Sequence, residues 1–276
     1  MINAVGNRLS REINRQSRLA DQLEQTQIQV STGQRIQRRS DDPIGFARAS
    51  RLGQEKAAVA VWARNVDQAV SRVAQADSVM TSASDLMARV GELVLAAGGP
   101  LNAADRNTIA DELTAVADEL ASLAATTAPN GEPLFLPGST GRTARFDSDS
   151  VFAPLPGRDT AMAVGGRSIA VIATDAAAAV RGGNAALITA AGTDVNTAIA
   201  HVADQRAQLG LAGARLERIG EALAARDIDL ATERSALMDT DLSEAIARLN
   251  AQTLTLEAAQ AAFARINRQT LFDLLR

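Results

Sequence analysis

The chain has 276 residues, 46% of them hydrophobic but only 3% aromatic, and a formal net charge of −4. That length supplies a buried core, the scarcity of rings leaves it to Ala, Val, Leu and Met and so favours closely packed long helices, and the acidic balance offers nucleic acid no general attraction. With no cysteine, disulfides, thiolate metal sites and cysteine nucleophiles are excluded; no apolar run reaches the ~18 residues of a membrane helix, and "MINAVGNRLSREINRQ" lacks the apolar centre of a cleaved signal.

At the N-terminus Ile2, Leu9, Gln16, Leu23 and Val30 recur every seven residues, with Val5 and Leu19 beside them. This is one thin helical stripe, too polar at Gln16 to stay ordered on its own burial. The passage "QVSTGQRIQRRSDDPIGFARAS" then reads as a joint. Gly33 can end the first helix in a left-handed conformation, Asp42 can cap the next, Pro43 suits its first position, and Asp41 favours the positive end of its dipole.

Beyond the joint, Leu52, Val59, Val66, Val73, Met80, Met87 and Val94 form an unbroken seven-residue ladder, which predicts a rod of ~60 Å or more. "AAGGPLNAAD" stops it, and Asn102 can cap a shorter helix from about Ala103 to Thr126, with Ile109, Val116 and Leu123 on one row and Leu113 and Leu120 next to it. Residues 130–192 are crowded with turn formers and predict a small β-rich insertion, in which "MAVGGRSIAVI" reads as a hairpin around Gly165 and Gly166.

A second ladder follows: Val195, Val202, Leu209, Leu216, Leu223, Leu230 and Leu237. The next stripe, Leu242, Leu249, Leu256 and Phe263, begins five residues on, so the apolar phase breaks and a second joint is expected there. The fold class is therefore mainly α, a coiled-coil bundle of long helices formed by the N- and C-terminal segments with a small β-rich insertion. The predicted domains are 1–42 with 240–276, a terminal coiled coil; 43–129 with 193–239, a helical rod; and 130–192, the insertion.

Little here suggests chemistry. Asp41 and Asp42 read as a helix cap before a catalytic pair. His201, the single histidine, has only Asp204 nearby on its helix, too little for a metal site. Arg35, Arg38 and Arg39 are better matched to the carboxylates of a neighbouring copy than to phosphate. No glycine pair forms a phosphate-binding pattern, and no active site, cofactor or metal is read. Long heptad ladders also occur in signalling coiled coils, but the turn-rich insertion fits those poorly.

"STGQRI" followed by "SDDPIGFARA", then "ARVGELVLAA", "DRNTIADELTAVADEL" and "NGEPLFLPGS", and finally "DTDLSEAIARLNAQTLTLEAAQAAFARINRQTLFDLL", together resemble the bacterial flagellin superfamily. Within it, "SDDP", "LFLPGS", the short insertion and "TLFDLL" are more similar to junction-type members, while the final Arg276 is similar to some filament subunits. The resemblance implies a secreted, non-enzymatic subunit of the extracellular flagellum. Its N- and C-terminal helices would pair in a homo-oligomeric helical tube, through Ile2, Val5, Leu9, Leu23, Val30, Leu242, Leu249, Leu256 and Phe263. Implied partners are a neighbouring hook-associated protein and flagellin, an export chaperone and the flagellar type III export apparatus, with neither nucleic acid nor membrane insertion. Arg89, Glu92, Leu93 and Glu112 match the flagellin surface seen by the vertebrate innate immune receptor, or contacted by the next subunit, with Gly91 where strongly recognised flagellins carry arginine.

Overall fold

The computed structural model describes residues 2–274, and side chains for 10–265. In chain order the helices are α1 (Ile2–Thr32), α2 (Pro43–Ala97), α3 (Ala103–Ala124), α4 (Arg158–Met162), α5 (Ile169–Gly182), α6 (Ala185–Met238) and α7 (Leu242–Leu274). Two antiparallel two-stranded sheets lie between α3 and α5: β1 (Ala144–Arg145) with β2 (Val151–Phe152), and β3 (Ala163–Val164) with β4 (Arg167–Ser168). The protein is mainly α with a small β-containing insertion, as its periodicity predicts. α2 and α6, of 55 and 54 residues, are each about 80 Å long.

The chain forms two compact units, residues 1–56 with 228–276 and residues 57–227. In the larger unit the ladder positions from Val59 to Val94 on α2 and from Val195 to Leu223 on α6 are all buried. The two helices run antiparallel: a Cβ added at Gly220 would stand 3.4 Å from Val66, at Gly213 3.6 Å from Val73, and at Gly192 3.7 Å from Val94. α3 starts at the predicted cap, where Asn102 Oδ1 accepts from Asp105 N at 2.8 Å, and buries Leu113 and Leu120.

Gly165 (φ 57°) and Gly166 (φ 81°) make the turn between β3 and β4, as read from the sequence. The hairpin ends at Ser168, earlier than the apolar pattern suggests. Ser168 Oγ accepts from Val171 N at 3.2 Å and so caps α5, whose Ile169, Ile172, Ala173, Ala176, Ala177 and Val180 recur at helical spacing and are buried. α5 packs against α3, so helix accounts for the insertion's largest apolar face. β1 and β2 are anchored by Phe146 and Phe152, with ring centroids 4.8 Å apart, and by the Arg215 guanidinium 4.0 Å from the Phe152 ring centre.

In the smaller unit α1 and α7 pair and run antiparallel, with Gln34 bridged to Asp239 at their joints.

Candidate assembly site

The first joint is built from local hydrogen bonds. Gly33, at φ 69°, ends α1 in the left-handed conformation and donates its N–H to Gln29 O at 2.9 Å. The link then folds around Ile36, which is wholly buried. Asp42 is the N-cap of α2: its Oδ1 accepts from Gly45 N at 2.8 Å and its carbonyl from Phe46 N at 2.9 Å. Pro43 takes the first helical position. Asp41 faces the other way from the role its sequence position suggests. Its Oδ2 accepts from Arg38 N at 2.9 Å and Gln37 N at 3.1 Å, and these backbone bonds, that of Arg38 foremost, hold its pKa below the ordinary carboxylate value.

The two joints are clasped to each other. Arg35 N donates to Met238 O at 2.7 Å, Thr240 N to Gly33 O at 2.8 Å, and the Arg35 guanidinium to Leu237 O at 2.7 Å. Asp241 caps α7, its Oδ1 accepting from Ser243 N at 2.9 Å and Glu244 N at 3.2 Å. Arg48 Nε donates to Glu233 Oε1 at 3.0 Å, tying α2 to α6 in this unit. Arg35, matched from the sequence to the carboxylates of a neighbouring copy, instead bonds within the chain to Leu237 O and lies 3.7 Å from Asp42. Gly45 escaped the sequence reading, since it looks like an ordinary helical glycine. A Cβ at Gly45 would meet Asp42 Oδ2 at 2.5 Å and Ile36 Cδ1 at 2.7 Å.

Along the terminal pair the less exposed positions step by four and three. On α1 the row is Gln16, Leu19, Leu23, Thr26 and Val30, with Glu12, Ile28 and Gln29 also partly covered; on α7 it is Ala245, Leu249, Gln252, Leu256, Ala259 and Phe263. This is a coiled-coil seam diluted with polar and small residues. Gln16 Nε2 and Gln252 Oε1 are buried without a partner, and Thr26 bonds back to Gln22 O of its own helix at 2.9 Å. Leu23, Val30, Leu249, Leu256 and Phe263 thus lie on the seam. Leu242 lies off it, 49% exposed, because the first turn of α7 turns Ala245 inward instead. The side chains of Ile2, Val5 and Leu9 lie outside the described residues. Ile13, Ile246 and Leu254 remain exposed on the pair.

The cluster matched to receptor recognition divides. Arg89 bridges α2 and α3, with Nε donating to Glu112 Oε1 at 3.0 Å and Nη1 to Glu92 Oε2 at 3.2 Å; these carboxylates raise its pKa, Glu112 most. Leu93 is buried and cannot join a surface contact, because its position on α2 faces the bundle core. His201 Nε2 donates to Thr160 O at 2.8 Å, which ties α6 to α4. Glu132, not singled out by sequence, gathers the insertion onto α2: Arg72 donates to it at 2.7 Å, Asn130 at 3.0 Å and Arg142 at 3.1 Å. These bonds, that of Arg72 first, lower its pKa to about 2.

No curated protein matches the chain at a significant level. Among solved structures, a chain assigned as a flagellar hook-associated protein of Vibrio parahaemolyticus is similar in fold, at 16% identity and a TM-score of 0.64, over 72% of this chain and 100% of that one. FlgL of Xanthomonas campestris is similar in two crystal forms. One has 17% identity and a TM-score of 0.55 over 70% of this chain and 99% of that one; the other has 16% and 0.50 over 57% and 91%. The family model for the bacterial flagellin N-terminal helical region matches residues 3–139, and that for the C-terminal helical region matches residues 193–275. Between them these matches take in both terminal helices and both ladders, and the chain belongs to the bacterial flagellin family of structural proteins of the flagellum.

Proposed function

We propose that the chain is the junction subunit between hook and filament, and that it self-assembles into a helical layer through its paired terminal helices. The observation that carries the assembly reading is the diluted α1/α7 seam, which leaves Leu254 68% exposed and Ile13 52% exposed on a pair that buries little apolar surface of its own. Further copies of the chain supply the missing cover. Residues 1–42 with 240–276 act as the polymerisation domain, residues 43–129 with 193–239 as a rod, and residues 130–192 as a surface insertion. The seam residues Leu23, Val30, Leu249, Leu256 and Phe263, with Ile2, Val5, Leu9 and Leu242, form the contacts, while Gly33, Asp41, Asp42 and Pro43 hold the joint. A chain without cysteine and with such weakly held ends suits passage through the type III export apparatus with a chaperone. The placement at the junction draws on the fold likeness to hook-associated chains and on "SDDP", "LFLPGS" and "TLFDLL".

Deleting the gene and imaging the cells tests this. Bare hooks with filament protein lost to the medium, and only traces of this chain in sheared normal filaments, are expected. If the chain is instead the main component of the filament, the junction assignment fails and the protein is a flagellin.

A further inference from the structure

Asn130–Gly131 is the single Asn-Gly pair in the sequence and stands at the tip of the hairpin bridged from Thr127 to Pro133. Asn-Gly is the dipeptide most open to spontaneous deamidation. The glycine nitrogen loses its proton and attacks the asparagine Cγ, ammonia leaves, and water opens the five-membered imide to aspartate or isoaspartate. Glycine makes the attack easy because it has no Cβ. It is also the residue this turn demands, since Gly131 sits at φ 79°. Both residues are exposed, so burial does not shield them.

The fold instead occupies each reacting group. Gly131 N–H donates to Ala128 O at 2.8 Å. Asn130 Oδ1 accepts from Glu132 N at 3.2 Å, and its Nδ2 donates to Glu132 Oε2 at 3.0 Å, which turns the carboxamide onto the residue beyond the glycine. Glu132 is in turn fixed by Arg72 and Arg142. We propose that Asn130–Gly131 is a deamidation site gated by folding, silent in the folded chain and reactive while the chain is unfolded. A chain modified before it folds carries a carboxylate where an N–H now meets Glu132, so acceptor faces acceptor. Isoaspartate further lengthens the backbone and spoils the Thr127–Pro133 register.

The test incubates the purified full chain at mildly alkaline pH, folded in buffer and unfolded in concentrated urea, and follows Asn130 by peptide mapping and mass spectrometry. Conversion at least about tenfold slower in the folded chain is expected, since it must wait for local opening; equal rates overturn the proposal. In a Glu132→Ala chain whose circular dichroism shows intact helix, the folded-state rate should rise several-fold. No rise would overturn the part assigned to Glu132, and the urea comparison decides the gate itself should that variant not fold.

Discussion

Gly45 is the sharpest point at which to break the joint. Replacing it with alanine would ordinarily stabilise a helix by about 1 kcal/mol. Here the new Cβ would stand 2.5 Å from Asp42 Oδ2, 2.7 Å from Ile36 Cδ1 and 2.8 Å from Asp42 Cγ, all closer than van der Waals contact allows. The Asp42 side chain has little room to retreat without giving up its bond to Gly45 N, and a lost cap costs about 1 kcal/mol. Ile36, wholly buried, must also move, and overpacking of that kind costs about 1–3 kcal/mol. The net expectation for Gly45→Ala is a loss of about 1–3 kcal/mol in the smaller unit, the propensity gain being outweighed. Gly53, on the same helix with nothing within 4 Å of an added Cβ, is the control: Gly53→Ala should stabilise by about 0.5–1 kcal/mol. Hydrogen exchange at the amides of residues 33–46, alongside urea unfolding, separates the two variants. A Gly45→Ala chain as stable as Gly53→Ala would refute the steric account of the joint.

Leu256→Asp places a carboxylate on the seam at a cost of about 2 kcal/mol or more; assembly should be lost while the helical signal of residues 57–227 persists, as seen by sedimentation and circular dichroism. Glu132 titrates at about 2 against an ordinary 4.5, so the folded state prefers its charged form. Its contribution to loop stability is therefore complete above about pH 4.5 and is lost as pH falls through about 2; a side-chain NMR titration should show this depressed midpoint, and Arg72→Gln should raise it. Leu93→Ala should destabilise by about 2–4 kcal/mol as a core truncation, whereas Leu95→Ala, at an 82% exposed position, should change stability by less than about 0.5 kcal/mol.

The seven-residue ladders were legible because heptad spacing survives in any long buried rod, and the caps at Asn102 and Asp42 because a short polar side chain before a helix has few other uses there. What the chain order hid were partnerships across long separations. Arg35 meets Leu237 O, and Arg72 meets Glu132, only after the fold is made. The row that includes Leu242 misled because seven-residue spacing identifies a stripe but not the side of the helix that a neighbour covers, and Leu93, named from a family resemblance and not from a row, proved to lie in the core. α5 was read as an extension of a hairpin because "SIAVI" is apolar in either conformation, whereas the buried row at helical spacing from Ile169 to Val180 and the Ser168 cap on Val171 N mark it as helix.

The clasp between the joints also bears on the order in which the chain can fold. Arg35 and Leu237, bonded through the guanidinium, are 202 residues apart in the chain, and closing so long a loop directly carries an entropy cost of about 5 kcal/mol before any constant term. Once Val66 and Gly220 lie side by side, most of that loop is already closed, and only the short segments flanking them remain to be brought together. On this entropy argument the larger unit is expected to fold first and the terminal pair last. The same hierarchy run backwards predicts that the α1/α7 pair opens before the larger unit, so hydrogen exchange should be faster at its amides than at those of the α2 and α6 ladders.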